Sequence, residues 1–199
     1  FFCSDQVNTR QHFITPNKIE SGLRCIELFS STRTKSAKHI PQRGHIFGAC
    51  CDAIRPLFKK ADICINLVGI LFEKGKNNFK NIHTSFPSLL ASLCKEYELD
   101  QLVHISALGI DASTDSKYAA SKLEGEKKIK ELFPSTTILR PSIVYSVDDN
   151  FTTTFMTLLS RLPVFPLYYN GETKFMPIHC SDLTDIIFKV INDEIKSEL

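Results

Sequence analysis

Residues 101–145, QLVHISALGIDASTDSKYAASKLEGEKKIKELFPSTTILRPSIVY, constrain the fold more than any other stretch of the chain. Leu102 to Ser106 is a short apolar run with β-branched residues, the pattern of a buried strand. It ends in the small residues Ser106 and Ala107, and a polar loop with Asp111, Ser113 and Asp115 follows. A charged amphipathic helix then opens with Tyr118 and Lys122 and runs out at Phe133-Pro134. A second apolar strand, TTILRPSIVY, closes the unit. Strand, helix and strand in this order predict one crossover of a parallel sheet. Its polar atoms gather at the carboxyl ends of the strands, where α/β folds bind ligands.

The spacing within that unit gives it a chemistry. Residues four apart share a helix face, so the Lys122 ammonium can lie beside the Tyr118 phenol. A neighbouring cation stabilises a phenolate and brings a tyrosine towards proton transfer. Ser106, at the carboxyl end of the preceding strand, can hydrogen-bond a substrate carbonyl or hydroxyl. Ser106, Tyr118 and Lys122 are therefore the candidate catalytic residues. Tyr-x-x-x-Lys alone is common by chance. The strand ending in serine before it, and the strand with Arg-Pro-Ser after it, raise its weight.

The remaining chain bounds the possibilities. With 199 residues and 43% apolar composition, one domain with a real core is expected. A net charge of +2 offers no basic face for nucleic acid. No apolar run reaches the roughly 18 residues of a transmembrane segment. The 7 cysteines show no C-x-x-C spacing, and Cys64 and Cys94 lie in apolar stretches where a thiol packs as a small hydrophobe. A reducing compartment is the better reading, with Cys50-Cys51 as thiols rather than a metal or redox site. Phe79, Ile82, Phe86, Leu89, Leu90, Leu93 and Cys94 recur at helical spacing, with Pro87 marking a kink or a start. His83 lies off this series and reads as surface. Phe151 to Leu162 reads as a helix with an apolar face, and PVFPLYYNGETKFMPIHCSD is rich in Pro, Gly and aromatics. Ser181-Asp182 reads as the N-cap of a last helix.

INLVGILFEKGKNNF (65–79), VHISALGID (103–111), KYAASKLEGE (117–126) and ILRPSIVY (138–145) together resemble the extended and atypical short-chain dehydrogenase/reductases. Within them they resemble the branch that contains the NADPH-binding accessory subunit of respiratory complex I and its bacterial relatives. The similarity spans residues 22–190 and is dense over 61–182. It implies an α/β fold, a doubly wound parallel sheet of Rossmann type. Residues 21–150 would form the dinucleotide-binding domain and 151–199 part of a small substrate lobe, expected to be truncated. Such a fold opens with a strand and a Gly-rich turn that cradles the pyrophosphate. No glycine precedes Gly22, so residues 1–20 are expected to be a divergent or truncated N-terminal segment without that turn.

The resemblance also assigns strands and roles. RCIELFSS (24–31) becomes the second strand, HIFGACCD (45–52) the third, ADICINLVGI (61–70) the fourth and Leu99 to Ser106 the fifth. The end of the second strand faces the adenosine ribose. An acidic residue there would hold the 2′-hydroxyl of NAD, whereas arginine accommodates the 2′-phosphate of NADP. Ser31 and Arg33 stand there with no carboxylate, which favours NADP(H) over NAD(H). The implied cofactor set continues with Asp52 near the adenine, then Asn66, Val68, Gly69, Tyr118, Lys122, Pro141 and Ser142.

Two function classes follow. One is an NADP(H)-binding accessory or assembly subunit of NADH:quinone oxidoreductase, with complex I subunits as partners and no turnover required. It would lie in the cytoplasm or mitochondrial matrix, peripheral at the inner membrane. The other is an active NADP-dependent oxidoreductase or epimerase using Ser106, Tyr118 and Lys122. Tyr118 stands only 12 positions after Ser106, a shorter loop than active extended members usually have, which favours the first. A third reading, a fragment without cofactor binding, leaves Phe165, Tyr168 and Tyr169 as a protein- or lipid-facing patch.

Overall fold

All four residues of Ile63–Asn66 are buried, so this strand cannot leave its backbone groups to water and needs a partner on each side. The computed structural model describes residues 25–28, 54–75, 77–113, 115–147, 149–161, 172 and 174–192. In chain order these form β1 (Cys25–Leu28), α1 (54–58), β2 (Ile63–Asn66), a π-helical turn (Lys80–Ser85), α2 (Phe86–Glu96), β3 (Gln101–Ile105) and α3 (Lys117–Leu132). Then come β4 (Thr136–Leu139), β5 (Val144–Tyr145), α4 (Asn150–Arg161), β6 (Ile178–His179) and α5 (Cys180–Ile191). The main sheet has the order β1-β2-β3-β4, every pair parallel. β5 and β6 form a separate parallel pair.

Strand alternation sorts the core into two layers. Cys64 and Leu102 point to one face, where they pack with Leu90, Leu93 and Cys94 of α2 and Ile129 of α3. Ile63, Ile65, Val103 and Ile105 point to the other face and meet Ile187, Val190 and Ile191 of α5. Helices on both faces of a parallel sheet make the fold doubly wound, as the sequence implies. Each fully buried Ile or Leu contributes about 1.5–3 kcal/mol by leaving water.

Three elements differ from the expected reading. Cys25–Leu28 pairs directly with β2, the neighbour position that the first strand holds in the usual 3-2-1-4-5 order, and so completes the second edge of β2. The strand expected over TTILRPSIVY is two strands in different sheets, broken at Pro141, which cannot donate to a ladder. α5 is capped by His179, whose Nδ1 accepts from the Ser181 backbone N–H at 3.3 Å, so Ser181 and Asp182 lie inside the first turn. α4 begins behind Asp149, which is buried and accepts from Ser146 N–H at 3.0 Å and Thr152 N–H at 2.5 Å.

Candidate functional site

Alternation along the strands also builds the site. Asn66 and His104 are register partners, so both project to the face covered by α3. Asn66 Oδ1 accepts from the Val68 N–H at 3.1 Å. Its amide therefore donates to His104 Nδ1 at 2.9 Å. The amide thereby shapes the turn at the end of β2, and its contribution there is to place Val68 and Gly69. Gly69 is buried and Val68 packs on the core behind α2.

Ser106 follows β3 and is 1% exposed; its Oγ has no hydrogen-bond partner among the described residues. Its backbone N–H donates to Leu139 at 2.7 Å, and the Leu108 N–H donates to Pro141 O at 2.9 Å. Buried Pro141 and half-buried Ser142 thus border the loop that leaves Ser106. That loop turns at Gly109, with φ +77°, and lays Ala107 and Ile110 against Ala119. The Ser116 hydroxyl then caps α3 by accepting from the Ala119 N–H at 3.3 Å.

Tyr118 and Lys122 share one face of α3, as their spacing requires. Lys122 is 5% exposed, and its ammonium lies 5.7 Å from the Tyr118 ring centroid. The same ammonium donates to the carbonyl of Ile105, the residue before Ser106, at 3.4 Å. Lys122 and the Tyr118 ring beside it are thereby drawn to the carboxyl end of β3, which Ser106 follows. Ser31, Arg33 and Asp52 lie outside the described residues.

Behind Tyr118 stands a residue that the spacing argument misassigned. His83 is not on the surface; it is 2% exposed. Its Nε2 accepts from the Ile70 backbone N–H at 3.2 Å, which requires a lone pair there. Nδ1 consequently carries the proton and donates to Ser121 Oγ at 3.0 Å, while that hydroxyl donates to Tyr118 O at 2.7 Å. The imidazole stacks on Phe79 at 5.3 Å and meets the Tyr118 ring edge-on at 5.1 Å. Burial, helped by the Lys122 charge, pushes the His83 pKa down to about 3. Burial, Lys122 and His83 do the same to His104, also down to about 3. Both imidazoles are neutral at pH 7, leaving the Lys122 ammonium as the cation beside them.

The backbone explains how α3 comes so close. Pro87 can return no N–H to the His83 carbonyl four residues back, and the π turn Lys80–Ser85 widens the helix there. Gly125 of α3 closes over the opening: a Cβ added to it would sit 1.9 Å from His83 O. One residue further along, buried Glu126 takes a two-pronged bond from Arg140, Nε to Oε1 at 3.1 Å and NH2 to Oε2 at 2.6 Å. Arg140 also reaches Asp111 at 3.4 Å, so it ties α3, the end of β4 and the loop after Ser106 together.

A doubly wound parallel sheet with a strand-end serine and a Tyr-x-x-x-Lys helix defines a Rossmann-like protein of the short-chain dehydrogenase/reductase type. The chain belongs to the family described as the RmlD substrate binding domain, which matches residues 72–199. It is 29% identical over 140 residues to NADH dehydrogenase (ubiquinone) 1 alpha subcomplex subunit 9, mitochondrial, of Dictyostelium discoideum, covering 70% of this chain and 38% of that protein. A dTDP-4-dehydrorhamnose reductase ortholog from Clostridium acetobutylicum shares the fold, with TM-score 0.61 and 22% identity over 72% of this chain and 57% of that one. So does a double mutant of a dTDP-glucose 4,6-dehydratase from Streptomyces venezuelae solved with NAD, with TM-score 0.57 and 17% identity over 71% and 51%. The chain thus spans 38% of the length of that subunit and of its Mus musculus counterpart. Among the described residues no helix is long and apolar enough to cross a membrane.

Proposed function

We propose that this chain binds a nicotinamide dinucleotide and serves as an accessory subunit of NADH:quinone oxidoreductase on the mitochondrial matrix side. The observation that carries the cofactor reading is the buried Lys122 ammonium, held beside Tyr118 at the carboxyl end of β3. That end is where open parallel sheets take ligands. The buried Ser106 hydroxyl and the Lys122 ammonium fit a ribose and nicotinamide, the donor and acceptor set such a group needs. Lys122 would hold the ribose hydroxyls, and the turn at Val68 and Gly69 would let the ribose approach. Arg33 and Ser31, on the segment that follows the strand beside β2, would meet the phosphates of the dinucleotide, Asp52 would lie near the adenine, and Pro141 and Ser142 would border the nicotinamide. When bound, the dinucleotide supplies or accepts a hydride. The likeness to the Dictyostelium subunit supports the partner.

A second reading, a working oxidoreductase or epimerase, is favoured by one observation: the Ser106 Oγ is buried and has no partner among the described residues. Such a hydroxyl is suited to a substrate oxygen, with Tyr118 moving the proton and Lys122 steadying the phenolate. Fluorescence titration with NADPH, with NADH as control, tests the main reading. Micromolar or tighter binding is expected, and Arg33→Ala is expected to weaken it. A folded chain that binds neither nucleotide contradicts it. Tyr118→Phe separates the two readings. It abolishes turnover if the protein is an enzyme, and leaves NADPH affinity nearly unchanged under both.

A further inference from the structure

We propose that His83 is a positioning residue that couples the cofactor-facing turn after β2 to Tyr118. The inference rests on the dinucleotide reading above and deepens it. His83 is on none of the elements it links. It stands on the π turn before α2, yet its two nitrogens reach the Ile70 backbone on one side and Ser121 of α3 on the other. Ile70 directly follows Gly69, in the turn assigned to the ribose. Ser121 bonds the Tyr118 carbonyl, and the imidazole edge sets the plane of the Tyr118 ring, 88° to its own. The Thr84 hydroxyl donates to Ser121 O at 2.9 Å and holds α3 to the same turn.

The polarity of this chain of bonds runs one way. A backbone N–H can only donate, so Nε2 must accept, so Nδ1–H must donate, and the Ser121 hydroxyl proton must go on to Tyr118 O. A shift of the turn at Ile70 on nucleotide binding therefore pulls on the imidazole, and the imidazole carries it to the backbone and ring of Tyr118. Phe79 stacked on one imidazole face and the Tyr118 ring against its edge leave the imidazole little freedom to absorb the movement. A purely space-filling histidine would need neither the fixed tautomer nor the link to both elements.

The test is a double-mutant cycle read as NADPH affinity, on wild type, His83→Ala, Tyr118→Ala and the double variant, each confirmed folded by circular dichroism. With Tyr118 present, His83→Ala is expected to weaken NADPH binding about tenfold; with Tyr118→Ala, less than about twofold. His83→Gln, whose amide offers an acceptor and a donor with similar separation, is expected to restore affinity to within about threefold of wild type. Where His83→Ala does not fold, the cycle is run with His83→Asn, too short to span Ile70 and Ser121. Equal losses in both backgrounds, or no loss in either, overturn the coupling while leaving the dinucleotide reading intact. A folded wild type that binds no NADPH overturns both.

Discussion

Replacing Gly125 by alanine sets two effects against each other, and the structure says which wins. On an isolated helix Gly→Ala is favourable by about 1 kcal/mol, because alanine restricts the unfolded backbone. Here the new Cβ would lie 1.9 Å from His83 O and 3.0 Å from His83 C. A carbon and a carbonyl oxygen do not approach much closer than about 3.3 Å even in Cα–H···O contacts. Both obstacles are backbone, so no side chain can swing aside, and α3 must move off the π turn by more than about 1 Å. That movement strains the Ser121 bonds to His83 and Tyr118 O and the Thr84 bond to α3. Overpacking of this kind costs about 3 kcal/mol or slightly more, which leaves a net destabilisation of about 2 kcal/mol after the propensity gain. For a chain of this size that is a fall of about 4–8 °C in melting temperature. Urea denaturation and thermal melts of Gly125→Ala against wild type measure it, with Glu124→Ala, at an exposed position one residue away, as control. A Gly125→Ala protein as stable as wild type, or more so, would refute the claim that α3 is seated on the His83 carbonyl.

The two buried imidazoles make stability pH-dependent: each binds its proton near pH 6.5 when unfolded but only near pH 3 when folded. The unfolded chain therefore holds more protons between those values, and stability present above pH 6.5 is lost as pH falls towards 3, by about 1.4 kcal/mol per pH unit for each histidine. Urea melts at pH 7.5, 6.0 and 5.0 check this, and His83→Gln is expected to remove one proton's worth of slope; an unchanged slope contradicts the burial argument. Arg140→Ala strands the Glu126 carboxylate in the interior and is expected to cost about 2–3 kcal/mol, discounted for the partly exposed guanidinium. Adding Glu126→Gln to Arg140→Ala is expected to recover about half of that loss in the same melts. Purely additive losses would mean that the pair is not coupled.

What the sequence made legible follows from how locally each feature is determined. Apolar runs placed β2 and β3, because a strand buried on both faces has to be apolar throughout; β3 lies within two residues of the expected bounds, whereas β2 stops at Asn66, four residues short of the expected end. Tyr118 and Lys122 came from helical spacing alone, and the structure sets them on one face. The long strand over TTILRPSIVY did not survive, although Pro141 marked the break. His83 is the instructive miss. It reads as off the apolar series, although it stands four residues after Phe79 and seven before Leu90, spacings that share a helix face. Its burial depends on partners no local pattern names: the N–H of Ile70, reached from the end of another element, and Ser121, 38 positions away.

The same reasoning explains why polar residues could be predicted at this site but their states could not. A buried polar side chain is tolerable only when its bonds are made, and those bonds come from strands and helices far apart in sequence. Asn66 shows this. Its place at a strand end is legible, yet its amide goes to Val68 and His104, so under the proposed function it would act on a ligand only through the backbone it shapes. Ser106 is the converse: its backbone is held by Leu139, and its hydroxyl has no partner among the described residues. An unmet hydroxyl in the interior costs about 1–3 kcal/mol. The Lys122 ammonium is bonded to the carbonyl of Ile105 beside it, and a ligand that offers the hydroxyl a partner would recover that cost as binding energy. Replacing Ser106 by alanine separates stability from binding on this point. The variant is expected to be at least as stable as wild type in urea, and to bind NADPH more weakly only if the nucleotide itself reaches the hydroxyl. A Ser106→Ala protein that loses more than about 1 kcal/mol of stability would show instead that the hydroxyl is bonded within the fold.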